Sequence, residues 1–132
     1  MKIMLDTNVL ISALIFGGET GKLFDKLMQS EHELLVSDYV NQEFKEKLYI
    51  KWPKKAENVY SLYRTLNLTF CESTTKRLGE IRDEKDIPVL SDALFHNVDL
   101  ILTGDNDFLE ASLEKPLIFS PAMLSEFLGY RE

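Results

Sequence analysis

At 132 residues, 45% of them hydrophobic and 28% charged, the chain is expected to form a single domain over residues 1–132, being long enough to bury a core and too apolar to stay disordered. No apolar run approaches the ~20 residues of a membrane span. One cysteine, Cys71, and two histidines, His32 and His96, exclude an internal disulfide and a zinc-type set of soft ligands, so a bound metal would be held by oxygen. The formal charge of −7 is awkward for handling nucleic acid, since phosphate affinity comes largely from Lys and Arg, unless positive charge is gathered locally.

Residues 2–5 read as a strand and lack the charged, apolar and small-residue regions of a signal peptide, so a cytoplasmic location is expected. A helical pattern at 8–14 is followed by the break Gly17-Gly18 and a second helix at 21–29, where Leu23, Leu27 and Met28 form one apolar stripe. A strand at 33–36 leads into a helix at 38–49, and after Trp52-Pro53 another helix covers 54–66. Between Glu43 and Arg64, six basic residues stand against three acids. Lys45, Lys47, Lys51, Lys54 and Lys55 in that stretch read equally as a substrate-facing patch or as a solvated helix face. A weaker strand follows at 68–71, then a helix at 87–97 whose Leu90, Leu94 and Phe95 should pack on the sheet, and a strand at 100–103. Residues 117–119 suggest a fifth, edge strand, and 121–128 a last helix. Strands alternating with helices are the signature of a parallel sheet.

Two of these strands end in aspartate. Asp6 follows the first directly, and Asp105 follows the strand at 100–103 after a single glycine. In an open parallel sheet, ligands bind in the crevice outside the carboxyl ends of the strands, so both carboxylates are expected there. Glu43 lies near the start of the helix after the second strand, and Asp86 precedes a helix with Pro88 in its first turn. All four map to one rim. Each has a plainer reading on its own: Asp86 as an N-cap worth roughly 1 kcal/mol, Asp6 and Asp105 as caps of the helices after them, and Glu43 as a solvated helix residue. Convergence changes the balance, because carboxylates about 5 Å apart repel by roughly 3 kcal/mol per pair at an effective dielectric near 20. Such a cluster calls for Mg²⁺ or Mn²⁺, hard ions that take oxygen ligands. A divalent ion activates water and neutralises charge at a phosphodiester without any protein nucleophile. That suits a chain with no Ser-His-Asp or Cys-His candidate, whose Gly17-Gly18-Glu19-Thr20-Gly21 lacks the lysine and spacing of a phosphate loop.

The segment Met4-Leu5-Asp6-Thr7-Asn8-Val9-Leu10-Ile11-Ser12-Ala13 resembles the first motif of PIN domains. Arg82-Asp83-Glu84-Lys85-Asp86-Ile87-Pro88-Val89-Leu90 and Leu102-Thr103-Gly104-Asp105-Asn106-Asp107-Phe108-Leu109 resemble the third and fourth, and Glu43 takes the place of the second acid. The resemblance spans residues 1–124 and is nearest to VapC-like bacterial PIN proteins classed as toxins of toxin-antitoxin pairs. It implies a three-layer α/β/α sandwich around a parallel sheet of four or five strands, PIN-like and Rossmann-like, and a Mg²⁺- or Mn²⁺-dependent endoribonuclease. By the same resemblance, Asp6, Glu43, Asp86 and Asp105 are the catalytic and metal-binding acids, and Asn8, Thr103 and Asp107 support them. RNA becomes the substrate that Lys45, Lys47, Lys51, Lys54 and Lys55 would bind, an antitoxin protein a partner, and a homodimer or higher homo-oligomer the expected assembly.

This chain departs from the pattern in having Ile87 where many members have a second Asp, and Asp92 where many have Ala. Six residues from Asp86 on a helix, Asp92 turns away from it and reads as solvent-facing. Asp83 is the rival to Asp86 as third ligand. Haloacid-dehalogenase phosphatases need Asp-x-Asp where this chain has Asp6-Thr7-Asn8, and response-regulator receivers need an Asp after the third strand, which residues 68–72 do not offer. A PIN scaffold that binds RNA or a protein without cutting is the remaining alternative, against which stands the retention of four mutually repelling acids.

Overall fold

The computed structural model describes residues 1–79, 84–109 and 114–130, with the side chain of Asp107 left aside. Five parallel strands, β1 (Lys2–Leu5), β2 (Glu33–Ser37), β3 (Thr69–Cys71), β4 (Leu100–Leu102) and β5 (Leu117–Phe119), form one sheet in the order β3-β2-β1-β4-β5. Helices cover it, giving the expected α/β/α sandwich, and β5 takes the edge position. β1 lies at the centre, with Met4 opposite both Leu35 of β2 and Ile101 of β4. A strand covered on both faces must be apolar throughout rather than alternating; accordingly Ile3, Met4, Leu5, Leu100 and Ile101 are all fully buried.

The chain order reverses at β1, whose neighbours β2 and β4 are reached in opposite directions across the sheet. Adjacent loops there leave in different directions and open a crevice at the carboxyl ends. The Asp6 N–H donates to the Leu102 carbonyl at 3.0 Å, which fixes the exit of β1 against that of β4.

The helices are α1 (Thr7–Ile11), α2 (Gly18–Met28), α3 (Asp38–Lys51), α4 (Ala56–Thr65), α5 (Ile87–Phe95), α6 (Asn106–Leu109) and α7 (Pro121–Leu128). The helix expected at 8–14 is divided: α1 passes into a π-helical turn, Ser12–Phe16, which stops at Gly17 with φ 74°. α3 starts from an N-cap, the Ser37 hydroxyl accepting from the Val40 N–H at 3.3 Å. Val40, Phe44 and Leu48, spaced by four, are wholly buried. They set the helix's rotation, and the Phe44 ring meets that of Tyr63 on α4 edge-on at 4.7 Å. Tyr63 is fully buried too, and its hydroxyl donates to Asn41 Oδ1 at 2.7 Å.

Two expectations about the helix at 87–97 are corrected. The stripe Leu90, Leu94, Phe95 does not pack as one face: Leu90 is 1% exposed, whereas Leu94 and Phe95 are 37% and 53% exposed, because α5 turns its Val89, Leu90 and Ala93 side inward. Asp92 is not solvent-facing but 1% exposed. It does turn away from Asp86, yet that side is covered by the segment after β3, where Asp92 accepts from the Ser73 hydroxyl at 2.7 Å and the Thr74 N–H at 2.8 Å. The Ser73 oxygen in turn accepts from the Tyr39 N–H at 2.9 Å. One buried carboxylate therefore links α5, the exit of β3 and the start of α3.

Removing that buried carboxylate strands two half-buried donors, so Asp92→Ala is expected to cost about 2 kcal/mol, while Leu94→Ser should stay within about 0.5 kcal/mol of the native protein. Urea denaturation of both variants checks the pair; the opposite ranking would restore the first reading of α5.

Candidate active site

Asp6 is the residue at which β1 becomes α1, and it is 7% exposed. Its Oδ1 accepts from the Thr7 N–H at 2.8 Å, capping the helix, and its Oδ2 accepts from the Thr103 hydroxyl at 2.7 Å. The Thr103 oxygen also accepts from the Asp105 N–H at 3.1 Å. Thr103 thus joins the ends of β1 and β4 through the first and last of the four acids. Asn8 makes a second tie, accepting from the Gly104 N–H at 2.9 Å.

Glu43 reaches the same place from α3, where the Thr7 hydroxyl donates a hydrogen bond to its Oε1. Asp105 caps α6 by accepting from the Phe108 N–H at 3.3 Å, and its Oδ2 lies 3.5 Å from the Lys85 ammonium. Asp86 ends a 3-10 turn, Glu84–Asp86, and is 5% exposed. Its side chain makes no capping hydrogen bond to α5, so the plain N-cap reading fails at the one acid where it was strongest. Asp6 and Asp105 do cap, but both also line the cleft.

The four acids share a concavity of about 210 Å³ lined by Asp6, Thr7, Asn8, Tyr39, Glu43, Lys47, Lys85, Asp86, Val89 and Asp105. A larger groove of about 680 Å³ lies between α2 and α7, lined by residues such as Leu23, Ala122 and Tyr130, and none of the four acids reaches it. Burial pushes the Asp6 carboxyl above the ordinary carboxylate range; the hydrogen bonds from Thr103 and Thr7 pull it back, and the charges of Glu43 and Asp105 add to the rise. The Tyr39 phenol is likewise raised, by burial first and then by Glu43, Asp6 and Asp86. That one phenol feels three of the acids agrees with their convergence.

Of the five lysines expected to bind substrate, Lys47 alone lines the cleft. Lys45 is exposed with its ammonium 5.2 Å from the centre of the Tyr60 ring, and Lys51, Lys54 and Lys55 are exposed. Asp83 and the side chain of Asp107 lie outside the described residues. Thr7, Tyr39 and Lys85 are cleft residues that the sequence reading passed over. Spacing held the signal for Tyr39, one turn before Glu43; Thr7 and Lys85 each adjoin a predicted acid.

Hard oxygen donors around one cleft suit Mg²⁺ or Mn²⁺. Asp6 uses only two of its roughly four lone-pair sites on Thr7 and Thr103. Among the described residues, no three Asp, Glu, His or Cys side chains stand ready-made as a cation site. The acids share the cleft without being closed around a point, as expected of carboxylates that repel one another.

A model of the PIN domain family matches residues 2–107. The chain belongs to the PIN-domain family. Among solved structures, this PIN domain is similar to a chain in the crystal structure of VapBC2 from Rickettsia felis bound to a DNA fragment from their promoter. The TM-score is 0.71 at 15% identity, over 91% of this chain and 98% of that one. A comparison with curated protein sequences found no match.

The raised Asp6 pKa fixes the sign of its pH effect. Between the unfolded and folded values the native state binds more protons, so stability falls as pH rises through that window and stays lower above it. Asp6→Asn is therefore expected to raise the melting temperature at neutral pH without metal, the gain fading as pH falls through the raised folded value and gone below the unfolded value of about 4. Thermal melts across pH check this; a variant less stable at pH 7 would show that the Asp6 charge is stabilised rather than strained.

Proposed function

We propose that this PIN domain is a Mg²⁺- or Mn²⁺-dependent endoribonuclease, the toxin of a type II toxin-antitoxin pair. The observation that carries the reading is the meeting of four acids from distant parts of the chain in one cleft at the carboxyl ends of β1 and β4. Asp6, Glu43, Asp86 and Asp105 would hold the ion. When bound, it supplies charge neutralisation at the phosphate and activation of water.

The protein's own groups do the positioning. Thr7 and Thr103 fix both oxygens of Asp6, and Thr7 also orients Glu43, so these two acids are held by residues that carry no charge. Asn8 holds the turn that presents Asp105. Lys47 and Lys85 flank the acids and offer positive charge to the phosphates of an RNA strand. An antitoxin partner is supported by the shared fold with a chain of the VapBC2 structure, which was crystallised with promoter DNA.

A second reading is a PIN scaffold that holds RNA or a protein without cutting. In its favour are the Lys85–Asp105 ion pair and the lack of a preassembled cation site among the described residues. Against it, that pair is weak: Lys85 is 65% exposed, and exposed pairs contribute little.

Incubating the purified protein with total RNA and Mn²⁺ should give fragments that are absent with EDTA, and Asp6→Asn should lower the rate by a factor of at least about 100. Mn²⁺ should also raise the melting temperature by linkage. RNA left intact by the native protein, with no Mn²⁺-dependent shift, would favour the scaffold.

A further inference from the structure

We propose that the face of α3 carrying Tyr39, Glu43 and Lys47 is the track on which a single RNA strand crosses the cleft, Tyr39 stacking a base on one side of the reacting phosphodiester and Lys47 taking a phosphate on the other. This rests on the ribonuclease reading above and adds to it a path and the residues that hold the strand.

Spacing is the first argument. Positions 39, 43 and 47 recur every four residues, so they stand one above another on one helix face, about 6 Å apart along the axis. All three line the acid cleft. The neighbouring stripe of Val40, Phe44 and Leu48 is wholly buried and sets the rotation that turns this face to the cleft. An aromatic, an acid of the cluster and a cation therefore follow in line, a set that matches base, reacting phosphate and neighbouring phosphate.

The surroundings of Tyr39 supply the second. It forms part of the wall of an adjoining groove of about 500 Å³, lined also by Asp38, Gln42, Glu46 and Ser73. That groove adds three acids, counting Glu43, and no base, so it repels phosphate and admits the uncharged part of a nucleotide. Tyr60 and Tyr63 spend their rings on each other, on Phe44 and on Phe70, whereas the Tyr39 ring packs on no aromatic among the described residues. Its backbone is held by Ser73, itself held by buried Asp92. Its side chain is half-buried against the core, and a platform restricted in advance loses less freedom when a base stacks on it.

Lys47 differs from the other cleft cation. Lys85 is paired with Asp105, while Lys47 enters no ion pair among the described residues although it borders the acids. Its charge is spent on nothing else, so a phosphate meeting it gains a counterion without breaking an existing contact.

The test is binding of a short fluorescein-labelled single-stranded RNA to the Asp6→Asn protein at constant Mg²⁺ and varied KCl, with the probe checked intact on a gel. In that background Tyr39→Leu is expected to weaken binding roughly tenfold with the salt dependence unchanged, and Tyr39→Phe to bind as before. Lys47→Gln is expected to flatten the slope of log affinity against log salt by about 0.7, the single-strand value for one phosphate. Should Tyr39→Leu fail to fold, Tyr39→Gln carries the same expectation. Undiminished affinity in a folded Tyr39 variant, or an unchanged slope for Lys47→Gln, overturns the track even if the native protein cuts RNA. Expected dependences together with RNA left uncut by the native protein in Mn²⁺ overturn the ribonuclease reading and leave the track standing.

Discussion

Charge held where water cannot reach it is the constraint around which the cleft is built. Asp6 and Asp86 are 7% and 5% exposed, and a carboxylate at such depth loses hydration that only hydrogen bonds or opposite charge restore. For Asp6, Thr7 and Thr103 supply the hydrogen bonds. Each serves two acids: Thr7 gives its N–H to Asp6 and its hydroxyl to Glu43, while Thr103 gives its hydroxyl to Asp6 and accepts the Asp105 N–H. Both are neutral donors, so they fix the carboxylates in place without cancelling their charge. Asp6 accordingly stays strained toward the protonated form, and the remaining imbalance is what a divalent ion would relieve.

The rest of the fold makes that strain tolerable. β1 is buried on both faces and between two neighbours, so Asp6 is delivered to the rim by the most constrained strand in the sheet. α3 is locked in rotation by Val40, Phe44 and Leu48, and further by Tyr63, whose ring packs on Phe44 and whose hydroxyl holds Asn41. The backbone that carries Glu43 cannot turn off the cleft without moving that core. Asp92 links the start of α3 to α5, the helix that follows Asp86. A single buried carboxylate outside the cleft thus ties the helix that carries Glu43 to the helix that Asp86 precedes.

Strands and acids were legible because their signals are local. Four apolar runs and the edge run at 117–119 are continuous in sequence, and the two aspartates that end strands follow from strand position alone. What escaped depends on contacts between distant segments. Nothing near Asp92 announces that residues 73 and 74 cover it, and helical periodicity gives the angle of a side chain without saying what stands on that side. The same limit misplaced Leu94 and Phe95, whose apolar character suits a core face that α5 does not present there. The π-helical turn at Ser12–Phe16 is likewise invisible to a pattern with a period of 3.6. Tyr39 was missed for another reason: its spacing from Glu43 was readable, but a tyrosine in a first turn has many ordinary explanations until the cleft is seen beside it.

On the ribonuclease reading, a chain of net charge −7 would have to solve its own repulsion of RNA locally. Screening confines exposed charges to about 8 Å at physiological ionic strength, so a phosphate at the cleft responds to the groups lining it far more than to distant acids on the molecule. Those groups are four carboxylates and two lysines. Without a cation the balance of these groups is negative and would repel a phosphate. On the proposed reading, a divalent ion held by the acids would reverse part of that balance. The charge that an RNA phosphate would meet is then set by the cleft and its ion, and the acidity of the whole chain ceases to count against the ribonuclease reading.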